Sequence, residues 1–316
     1  MSAEPFGRLD HRSELRETLL PLCRLQPGEV WHDSKHGHKV GVLDAAKRED
    51  VQKIFGEEQA VLSVQDPPYN VTAGAENTEN LFRWNLKDYM EWSEKWVENN
   101  LRIMTPDAGL YVWLGADQRD HFQPLPDFMV MMRRFPELVS RSFITMRNQR
   151  GYGTQKNWMA VRQECLYYVK GSPAFNVNAE YTEIPRILRG YYKEVHGQKM
   201  ENPERSRSEN IRAGNVWVDI QQVFYRMQEN VPGCYAQKPL KSIERILQAS
   251  SREGDLVADF FAHAGTTLLA GEILRRRVFT FDIDPVFAEL TIRRLEHHRQ
   301  TGKTGFQWET PFPEIV

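Results

Sequence analysis

Short apolar runs alternate with longer amphipathic stretches along most of this chain of 316 residues. The apolar runs predict buried strands, and the stretches in which apolar residues recur every three or four positions predict helices. Strands are expected at 61–65, 109–114, 138–145, 256–260 and 278–281, and helices at 12–25, 86–104, 117–134 and 267–275. Strands that alternate with helices favour a mixed α/β sheet with helices on both faces.

A tetrapeptide, Asp66-Pro67-Pro68-Tyr69, directly follows the first of these strands. Open α/β sheets build their ligand-binding crevices at the carboxyl ends of strands. Proline has a fixed φ and no N–H, so this backbone is stiff and its carbonyl groups can accept hydrogen bonds. Asp66 and the Pro67 carbonyl could hold an exocyclic amine, while Tyr69 offers a face for stacking a planar base. The same residues also form ordinary turns, so the tetrapeptide needs support from elsewhere in the chain.

A second candidate segment lies at residues 254–284. A predicted strand is followed by a turn of small residues at 262–267, a helix and a second strand that ends in Asp282. In such a βαβ unit the turn lets a cofactor approach the N–H groups at the helix N-terminus, and the acidic tip can accept hydrogen bonds from ribose hydroxyls. The segment therefore predicts a nucleoside-containing cofactor.

Together the two segments resemble the amino DNA methyltransferases, which methylate N6 of adenine or N4 of cytosine. Asp66 to Tyr69 is similar to their catalytic motif, and the stretch 259–267 is similar to their S-adenosylmethionine loop, D-P-F-x-G-S-G-T-T. The catalytic motif comes first and the cofactor loop last, as in the circularly permuted β class. The resemblance implies a Rossmann-like S-adenosylmethionine-dependent methyltransferase sheet in permuted order, with a small target-recognition insertion.

Three further segments lie where that class would place them, so the resemblance extends over about residues 40–300. Gly41 to Asp44 resembles a cofactor contact, the stretch 237–240 resembles the motif just upstream of the cofactor loop, and the stretch 164–170 resembles a strand near the target-base pocket. The resemblance implies a set of cofactor-binding residues: Asp44, Asp66, Lys238, Asp259, Phe261, His263, Gly265, Thr266, Thr267 and Asp282.

The cofactor loop departs from the family pattern at two positions. His263 stands where the family has its first loop glycine, and Phe260 stands where the family has a proline. Glycine at such a position permits φ > 0 or close approach of a ligand, and histidine supplies neither freely. Since the other motif residues are present, we expect S-adenosylmethionine binding to be retained. His263 could bond the cofactor carboxylate or the DNA, or it could weaken cofactor binding.

Composition is ordinary for a globular protein, with 41% hydrophobic and 27% charged residues. No signal peptide pattern and no membrane-spanning apolar run is evident, and three scattered cysteines show no metal or disulfide spacing. These features indicate a cytoplasmic protein with no membrane partner, and the resemblance places it in a bacterial or phage context near the nucleoid. Histidines 32, 36 and 38 form an expected exposed loop without a second ligand pair, so no metal site is predicted.

Charge is unevenly distributed along the chain, whose net charge is −2. Residues 141–212 contain 13 Lys and Arg against 7 Asp and Glu, a net +6, so the remainder carries −8. A basic segment is expected where phosphates are bound, although a solvated charged surface has the same composition. The basic residues assigned to DNA binding are Arg147, Arg150, Lys156, Arg162, Arg186 and Arg189.

The motifs divide the chain into five predicted regions. Residues 1–40 form an N-terminal helix and loop, and residues 41–170 form the catalytic half of the core. Residues 171–235, with tyrosines among charges, form the target-recognition region. Residues 236–300 form the cofactor-binding half, and residues 301–316 form a tail.

The predicted activity is site-specific methylation of N6 in a flipped adenine of double-stranded DNA. An Asp-led tetrapeptide is more typical of the N6-adenine enzymes, and Ser-led forms are more typical of N4-cytosine enzymes. N4-cytosine methylation, RNA methylation and a catalytically silent, DNA-binding subunit remain alternatives. A homodimer and a companion restriction enzyme are also left open as partners.

Overall fold

The computed structural model describes residue Leu9 and residues 13–69, 85–115, 123–154, 157–185, 192–201 and 209–315. The described helices are α1 (Ser13–Leu19), α2 (Arg48–Phe55), α3 (Leu86–Ile103), α4 (Pro124–Met131), α5 (Leu240–Ser250), α6 (Thr266–Leu274) and α7 (Pro285–Thr301). None of them is both long enough and apolar enough to cross a bilayer. The strands of the main sheet are β1 (Val30–His32), β2 (Lys39–Val42), β3 (Ala60–Gln65), β4 (Met104–Leu114), β5 (Leu138–Thr154), β6 (Asn157–Lys170), β11 (Val216–Trp217), β12 (Leu256–Asp259) and β13 (Arg277–Asp282). Two small pairs join β7 (Tyr181–Pro185) to β10 (Asn210–Arg212) and β8 (Tyr192–Val195) to β9 (Gln198–Glu201).

The described main sheet has the order β1-β2-β13-β12-β3-β4-β6-β5-β11. Strands β2, β13, β12, β3 and β4 are mutually parallel, so their carboxyl ends meet at one edge. Strand β6 is antiparallel to β4 and β5, and β1 is antiparallel to β2. The predicted mixed α/β sheet is confirmed.

Each face of the sheet buries its own hydrophobic core. Alternation along β4 sends Leu110 and Val112 to the core beneath α2, α3 and α4, and sends Tyr111 and Trp113 to the core beneath α5, α6 and α7. Strand β3, the parallel neighbour of β4, is buried along almost its whole length, as expected for a parallel strand that is covered on both faces. Helices on both faces were predicted from the sequence, and they are observed.

The predicted elements differ from the observed ones mainly in length. The predicted helix 12–25 ends at Leu19 and continues as a 3₁₀ turn, Leu20–Leu22, because Pro21 lacks the N–H that an α-helix needs. Strand β5 extends nine residues beyond the predicted end at Thr145, because it forms a long hairpin with β6. The predicted helix 117–134 begins only at Pro124 within the described residues, and 116–122 lie outside them.

The ends of the chain pack together beside α7. A third core cluster contains Leu19 and Cys23 from the N-terminal part, Phe287 from α7, and Phe306 and Phe312 from the C-terminal part. The predicted C-terminal tail therefore contributes two buried phenylalanines to the molecule. Its charges, glycines and prolines did not indicate that its aromatic residues are buried.

The histidine run lies in the turn between β1 and β2. The expectation that it is wholly exposed was wrong for His38, which is 1% exposed. Its Nδ1 accepts a hydrogen bond from the Val278 N–H at 3.1 Å, and its Nε2 lies 2.9 Å from Glu272. Arg299 donates to both Glu272 and Asp33.

The ligand atoms of His36, His38 and Glu272 lie within 4.8 Å of one another, a separation that could hold a metal ion. However, a neutral imidazole whose Nδ1 accepts an N–H carries its proton on Nε2, so the Nε2 of His38 has no lone pair for a metal. The guanidinium of Arg299 already neutralises the carboxylate that would be the third ligand. The geometry therefore fits a hydrogen-bonded ion network, which fastens the β1–β2 turn to α6 and α7.

This network predicts a loss of stability in mild acid. Burial lowers the pKa of His38 below its ordinary value, so the unfolded chain takes up the proton first. The contribution of His38 to the free energy of unfolding is complete above about pH 6.5 and is lost as the pH falls below that value. Urea titrations between pH 7.5 and 5 should show a smaller loss for His38→Asn, whose carboxamide oxygen can still accept from Val278. An equal loss in both proteins would contradict the assignment.

Candidate active site

Asp66 lies immediately after β3, at the edge where the parallel strands end. Its two carboxylate oxygens accept hydrogen bonds from the ammonium of Lys238, at 2.9 Å for Oδ1 and 2.8 Å for Oδ2. The hydroxyl of Tyr69 donates to Oδ1 at 2.8 Å. The Asp66 side chain is 25% exposed, so the carboxylate is held firmly while part of its surface faces solvent.

The rest of the tetrapeptide is fixed by neighbouring side chains. Pro67 is buried, and the hydroxyl of Tyr89 on α3 donates to the Pro68 carbonyl at 2.9 Å. A Cβ added to Gly115 would lie 3.5 Å from the ring of Tyr69, so this ring lies against the end of β4. Burial and the adjacent Asp66 raise the pKa of Tyr69 well above its ordinary value, which keeps the hydroxyl protonated as a donor.

Lys238 reaches Asp66 from a segment that is locked just before α5. The side chain of Gln237 donates to the Glu229 carbonyl at 2.7 Å and accepts from the Val231 N–H at 3.0 Å. The Glu229 carboxylate accepts from the Leu240 N–H, the first residue of α5. Lys238 itself is 5% exposed. The segment that resembles the motif upstream of the cofactor loop thus brings a buried ammonium to the carboxylate of Asp66.

Four acidic residues follow the carboxyl ends of four adjacent strands. Asp44 comes two residues after β2, Asp282 ends β13, Asp259 ends β12 and Asp66 follows β3. Because these strands are parallel neighbours in the order β2-β13-β12-β3, the four residues form a row along one edge. The structure therefore brings together predicted residues from two distant parts of the sequence, and the row can bind a ligand with cationic groups and hydroxyl donors.

The middle two acids are unusually hard to ionise. Burial raises the pKa of Asp259 to about 6, although the Phe261 N–H opposes this by donating to its Oδ1. Burial, reinforced by the charge of Asp284, raises the pKa of Asp282 to about 7. Asp282 accepts from the N–H groups of His263 and Asp284 at 3.0 and 3.1 Å. Both carboxylates are thus poised to change charge near neutral pH.

The two departures in the cofactor loop have structural explanations. His263 adopts φ +43°, so it takes the left-handed conformation without being glycine, and its ring packs 4.9 Å from that of Phe287. Gly265 has φ +69°, and an added Cβ would lie 3.0 Å from the Cα of Thr291, so a side chain there has no room. The N–H of Phe260 donates to the Gln65 side chain at 3.0 Å, a bond that proline could not make.

Sequence reasoning did not find Arg294, on α7. Its guanidinium is fully buried and donates to the carbonyls of Ala264 at 2.7 Å and Thr304 at 2.8 Å, and to the Thr266 hydroxyl at 3.1 Å. Arg294 therefore supports the cofactor loop and the start of α6 from behind. The available signal was a basic residue on an otherwise apolar helix face, which alone does not identify its partners.

The β5–β6 hairpin carries part of the predicted DNA-binding set. Glu164 pairs with Leu114 at the end of β4, so the residues of β6 before Glu164 extend past the edge that holds Asp66. Arg147 and Arg162 face each other across this hairpin, and both are exposed. Arg150 lies in β5, but its side chain is not among those that the structure describes. Lys156, Arg186 and Arg189 lie outside the described residues.

A cavity of about 460 Å³ lies away from this edge, between the sheet and the segment that follows β6. Tyr111 and Tyr167 stack in its wall, and Arg245 is paired there with Glu180 and Asp219. Lys241 also pairs with both carboxylates, so two cations balance two anions there, and the rest of the wall is mainly apolar. We place the active site at Asp66 because the polar groups that converge there can perform chemistry.

The family model of N6/N4 methyltransferases, described as DNA methylase, matches residues 61–293. This chain belongs to that family. The Type II methyltransferase M.HpaI of Haemophilus parainfluenzae is 26% identical over 244 residues, covering 77% of this chain and 70% of that protein. The DNA adenine methyltransferase YhdJ of Escherichia coli (strain K12) is 25% identical over 270 residues, covering 83% and 81%.

Among solved structures, the cytosine-N4-specific PvuII DNA methyltransferase superposes with a TM-score of 0.59 at 14% identity. The superposition covers 85% of this chain and 89% of that chain, and at this identity it shows the fold alone. The family match makes the protein an S-adenosylmethionine-dependent DNA methyltransferase. The expectations of family, fold and cofactor are confirmed, and the choice between adenine and cytosine is left to experiment.

The described residues fit this cofactor. S-adenosylmethionine has a cationic sulfonium and amino group and two ribose hydroxyl donors, and the acidic row supplies acceptors of opposite charge. Gly265 forms a tight turn at the start of α6, where N–H groups face outward. Asp44, Asp259 and Asp282 are the described residues best placed to hold the cofactor, whereas the ammonium of Lys238 is already paired with Asp66.

Affinity for S-adenosylmethionine should rise with pH between about 6 and 8. Burial holds the pKa values of Asp259 and Asp282 near 6 and 7 in the free protein, and the cationic, hydroxyl-bearing cofactor favours the ionised carboxylates. Binding should therefore release protons. Calorimetry in buffers of different ionisation enthalpy measures both effects. The affinity of Asp282→Ala should be weaker and depend less on pH, and a pH-independent affinity in the wild type would contradict this view.

Proposed function

We propose that this protein methylates N6 of adenine in double-stranded DNA at a specific sequence. The observation that carries the proposal is a fixed carboxylate, Asp66, beside an acidic cofactor edge. The exocyclic amine of a base is a poor nucleophile because its lone pair is delocalised into the ring. Two acceptors on its hydrogens favour a more tetrahedral nitrogen with a freer lone pair, and Asp66 and the Pro67 carbonyl are the acceptors of this site.

When bound, S-adenosylmethionine supplies a methyl group that is already activated by its sulfonium. The chain therefore has to align the amine, since alignment alone can provide much of the acceleration. No thiol nucleophile is required, and burial raises the pKa of nearby Cys165 so that its thiol stays protonated. Duplex DNA hides the amine, so the base must swing out, and stacking on Tyr69 would offset part of the cost of unstacking.

Two observations favour adenine over cytosine. The tetrapeptide begins with Asp66, as in the N6-adenine enzymes that it resembles, and the relative YhdJ is named a DNA adenine methyltransferase. The structural neighbour PvuII is cytosine-specific, but at 14% identity it supports the fold alone. Both bases present an exocyclic amine of the same kind, so the proposed chemistry serves either target.

The β5–β6 hairpin is the surface that we propose binds DNA. It projects from the edge that holds Asp66, and it carries the exposed cations Arg147 and Arg162. Trp158, which sequence reasoning did not single out, is 92% exposed on the same hairpin. From Glu164 to Trp158 the strand rises by about 20 Å at about 3.3 Å per residue, which is comparable to the width of a duplex. Cations on such an arm would contact phosphates.

Mass spectrometry of nucleosides tests the proposal directly. Unmethylated genomic DNA is incubated with the purified protein and S-adenosylmethionine, then digested and analysed. N6-methyladenine is the expected product. N4-methylcytosine would keep the mechanism and overturn the choice of base, and methylation of RNA in preference to DNA would overturn the substrate.

A second candidate function is a catalytically silent subunit that binds DNA, and it is motivated by His263 in the cofactor loop. We expect the cofactor to bind, because His263 keeps the left-handed backbone and its N–H still donates to Asp282. His263→Gly should therefore change the affinity for S-adenosylmethionine by less than about fivefold. Absence of cofactor binding by the folded wild type, with binding restored by His263→Gly, would favour the silent subunit.

A further inference from the structure

We propose that Lys238 is a positioning residue for the target amine, and that it leaves Oδ2 of Asp66 as the oxygen that accepts the amine hydrogen. This inference rests on the proposed amino-methyltransferase function. The resemblance to known enzymes implies a cofactor-binding role for Lys238. The contacts in the structure indicate a different role, because the ammonium lies on the catalytic carboxylate.

The carboxylate of Asp66 can accept only a limited number of hydrogen bonds. An ionised carboxylate has about four lone-pair positions, two on each oxygen. Lys238 occupies one position on each oxygen, at 2.9 and 2.8 Å. Tyr69 occupies the second position on Oδ1, at 2.8 Å. One position therefore remains on Oδ2, and a partly exposed carboxylate can present it to a ligand.

The ammonium of Lys238 has most of its N–H donors engaged and is closely surrounded. Lys238 has three N–H donors, and two of them are engaged by Asp66. Its Nζ also lies 5.1 Å from the ring centre of Tyr69 and 5.4 Å from that of Trp113. Two aromatic faces and a carboxylate thus surround a side chain that is only 5% exposed. Such an environment favours a fixed cation and leaves little room for a cofactor carboxylate.

The consequence for the reaction follows from this pairing. The charge-assisted bonds to Lys238 fix the plane of the Asp66 carboxylate. The fixed carboxylate, with one free lone-pair position on Oδ2, accepts one hydrogen of the amine in a single direction. The Pro67 carbonyl accepts the other hydrogen. Lys238 therefore acts on the amine through Asp66, and its removal should impair turnover more than cofactor binding.

The test compares Lys238→Met with Lys241→Met, which removes an exposed lysine three residues further on, in the first turn of α5. Lys238→Met should lower kcat about 100-fold or more. Its calorimetric affinity for S-adenosylmethionine should stay within about threefold of the wild type, and Lys241→Met should change neither quantity. A tenfold or greater loss of cofactor affinity with kcat retained would overturn the inference and restore the cofactor-binding role.

A melting experiment tests the pairing without any turnover. Lys238→Met and Asp66→Ala should each lower Tm by about 3 °C or more, and the double variant should lower it by clearly less than the sum. Additive losses would overturn the pairing. If the wild type transfers no methyl group to any nucleic acid, the proposed function fails. The comparison of the single and double variants by Tm still decides whether Lys238 and Asp66 act as a unit. A wild type that methylates cytosine leaves the inference intact.

Discussion

Asp66→Ala is expected to abolish methyl transfer while the affinity for S-adenosylmethionine stays within about tenfold of the wild type. In the proposed mechanism the carboxylate is the acceptor that makes the amine nucleophilic, and loss of one preorganised group of this kind typically costs about 10²–10³ in rate. The loss should be larger here, because the variant leaves the ammonium of Lys238 in the pocket without its partner. An unpaired cation would also repel the cationic methyl donor.

Single-turnover methylation of duplex DNA measures the rate, and calorimetry measures the cofactor affinity. Asp127→Ala is a suitable control, because Asp127 is an exposed carboxylate on α4 and belongs to none of the predicted site residues. Asp66→Asn should also be severely impaired, since a carboxamide oxygen cannot serve Lys238, Tyr69 and the amine together. Activity equal to the wild type in Asp66→Ala would rule out the mechanism. A selective loss of cofactor affinity would make Asp66 a binding residue.

Local motifs revealed the catalytic edge from the sequence. Asp66, Asp259 and Asp282 each lie at the end of an apolar run, where α/β sheets bind ligands, and the family resemblance linked the two segments that contain them. The alternation of strands and helices also indicated helices on both faces of the sheet, because each helix has an apolar face that is visible in its own sequence. The roles of these aspartates in binding and catalysis stay predictions until variants are measured.

Partners that are distant in sequence could not be read from any local pattern. Lys238 and Asp66 are 172 residues apart, and the motif that contains Lys238 indicated only its neighbourhood. His38 pairs with Glu272 across 234 residues, so a histidine in a polar run was expected in solvent and is buried. Burial of a polar side chain depends on which elements pack over it, and a single sequence does not specify the packing.

The length of the β5–β6 hairpin was underestimated for a related reason. The residues beyond Thr145 in β5 are polar and glycine-containing, which usually indicates a loop. They form a strand because β6 pairs with them, with register shifts near Tyr152 and Thr154. A strand beyond the sheet edge has no core to bury, so its sequence has no alternating hydrophobic pattern. The sequence thus indicated the positive charge of the surface that we propose binds DNA, but it did not indicate that this surface is a β-hairpin.

Arg294→Met should both destabilise the protein and weaken cofactor binding, although Arg294 belongs to none of the recognised motifs. Burial lowers the pKa of Arg294 to about 10, so the guanidinium stays ionised at neutral pH. Methionine would fill similar volume but would leave the buried carbonyls of Ala264 and Thr304 without a donor. Each unsatisfied carbonyl costs about 1–3 kcal/mol, so we expect a loss of roughly 3 kcal/mol or more in the free energy of unfolding.

The effect on the cofactor follows from the position of the lost contacts. Ala264 and Thr266 flank Gly265 in the cofactor loop, and both are held by the guanidinium. Without it the loop gains conformations that a bound cofactor must exclude, so the affinity for S-adenosylmethionine should fall about tenfold or more. Urea unfolding and calorimetry measure the two effects, with Arg102→Met as the control because Arg102 is an exposed arginine on α3. Unchanged cofactor affinity in a destabilised Arg294→Met protein would show that the guanidinium stabilises the fold without shaping the loop.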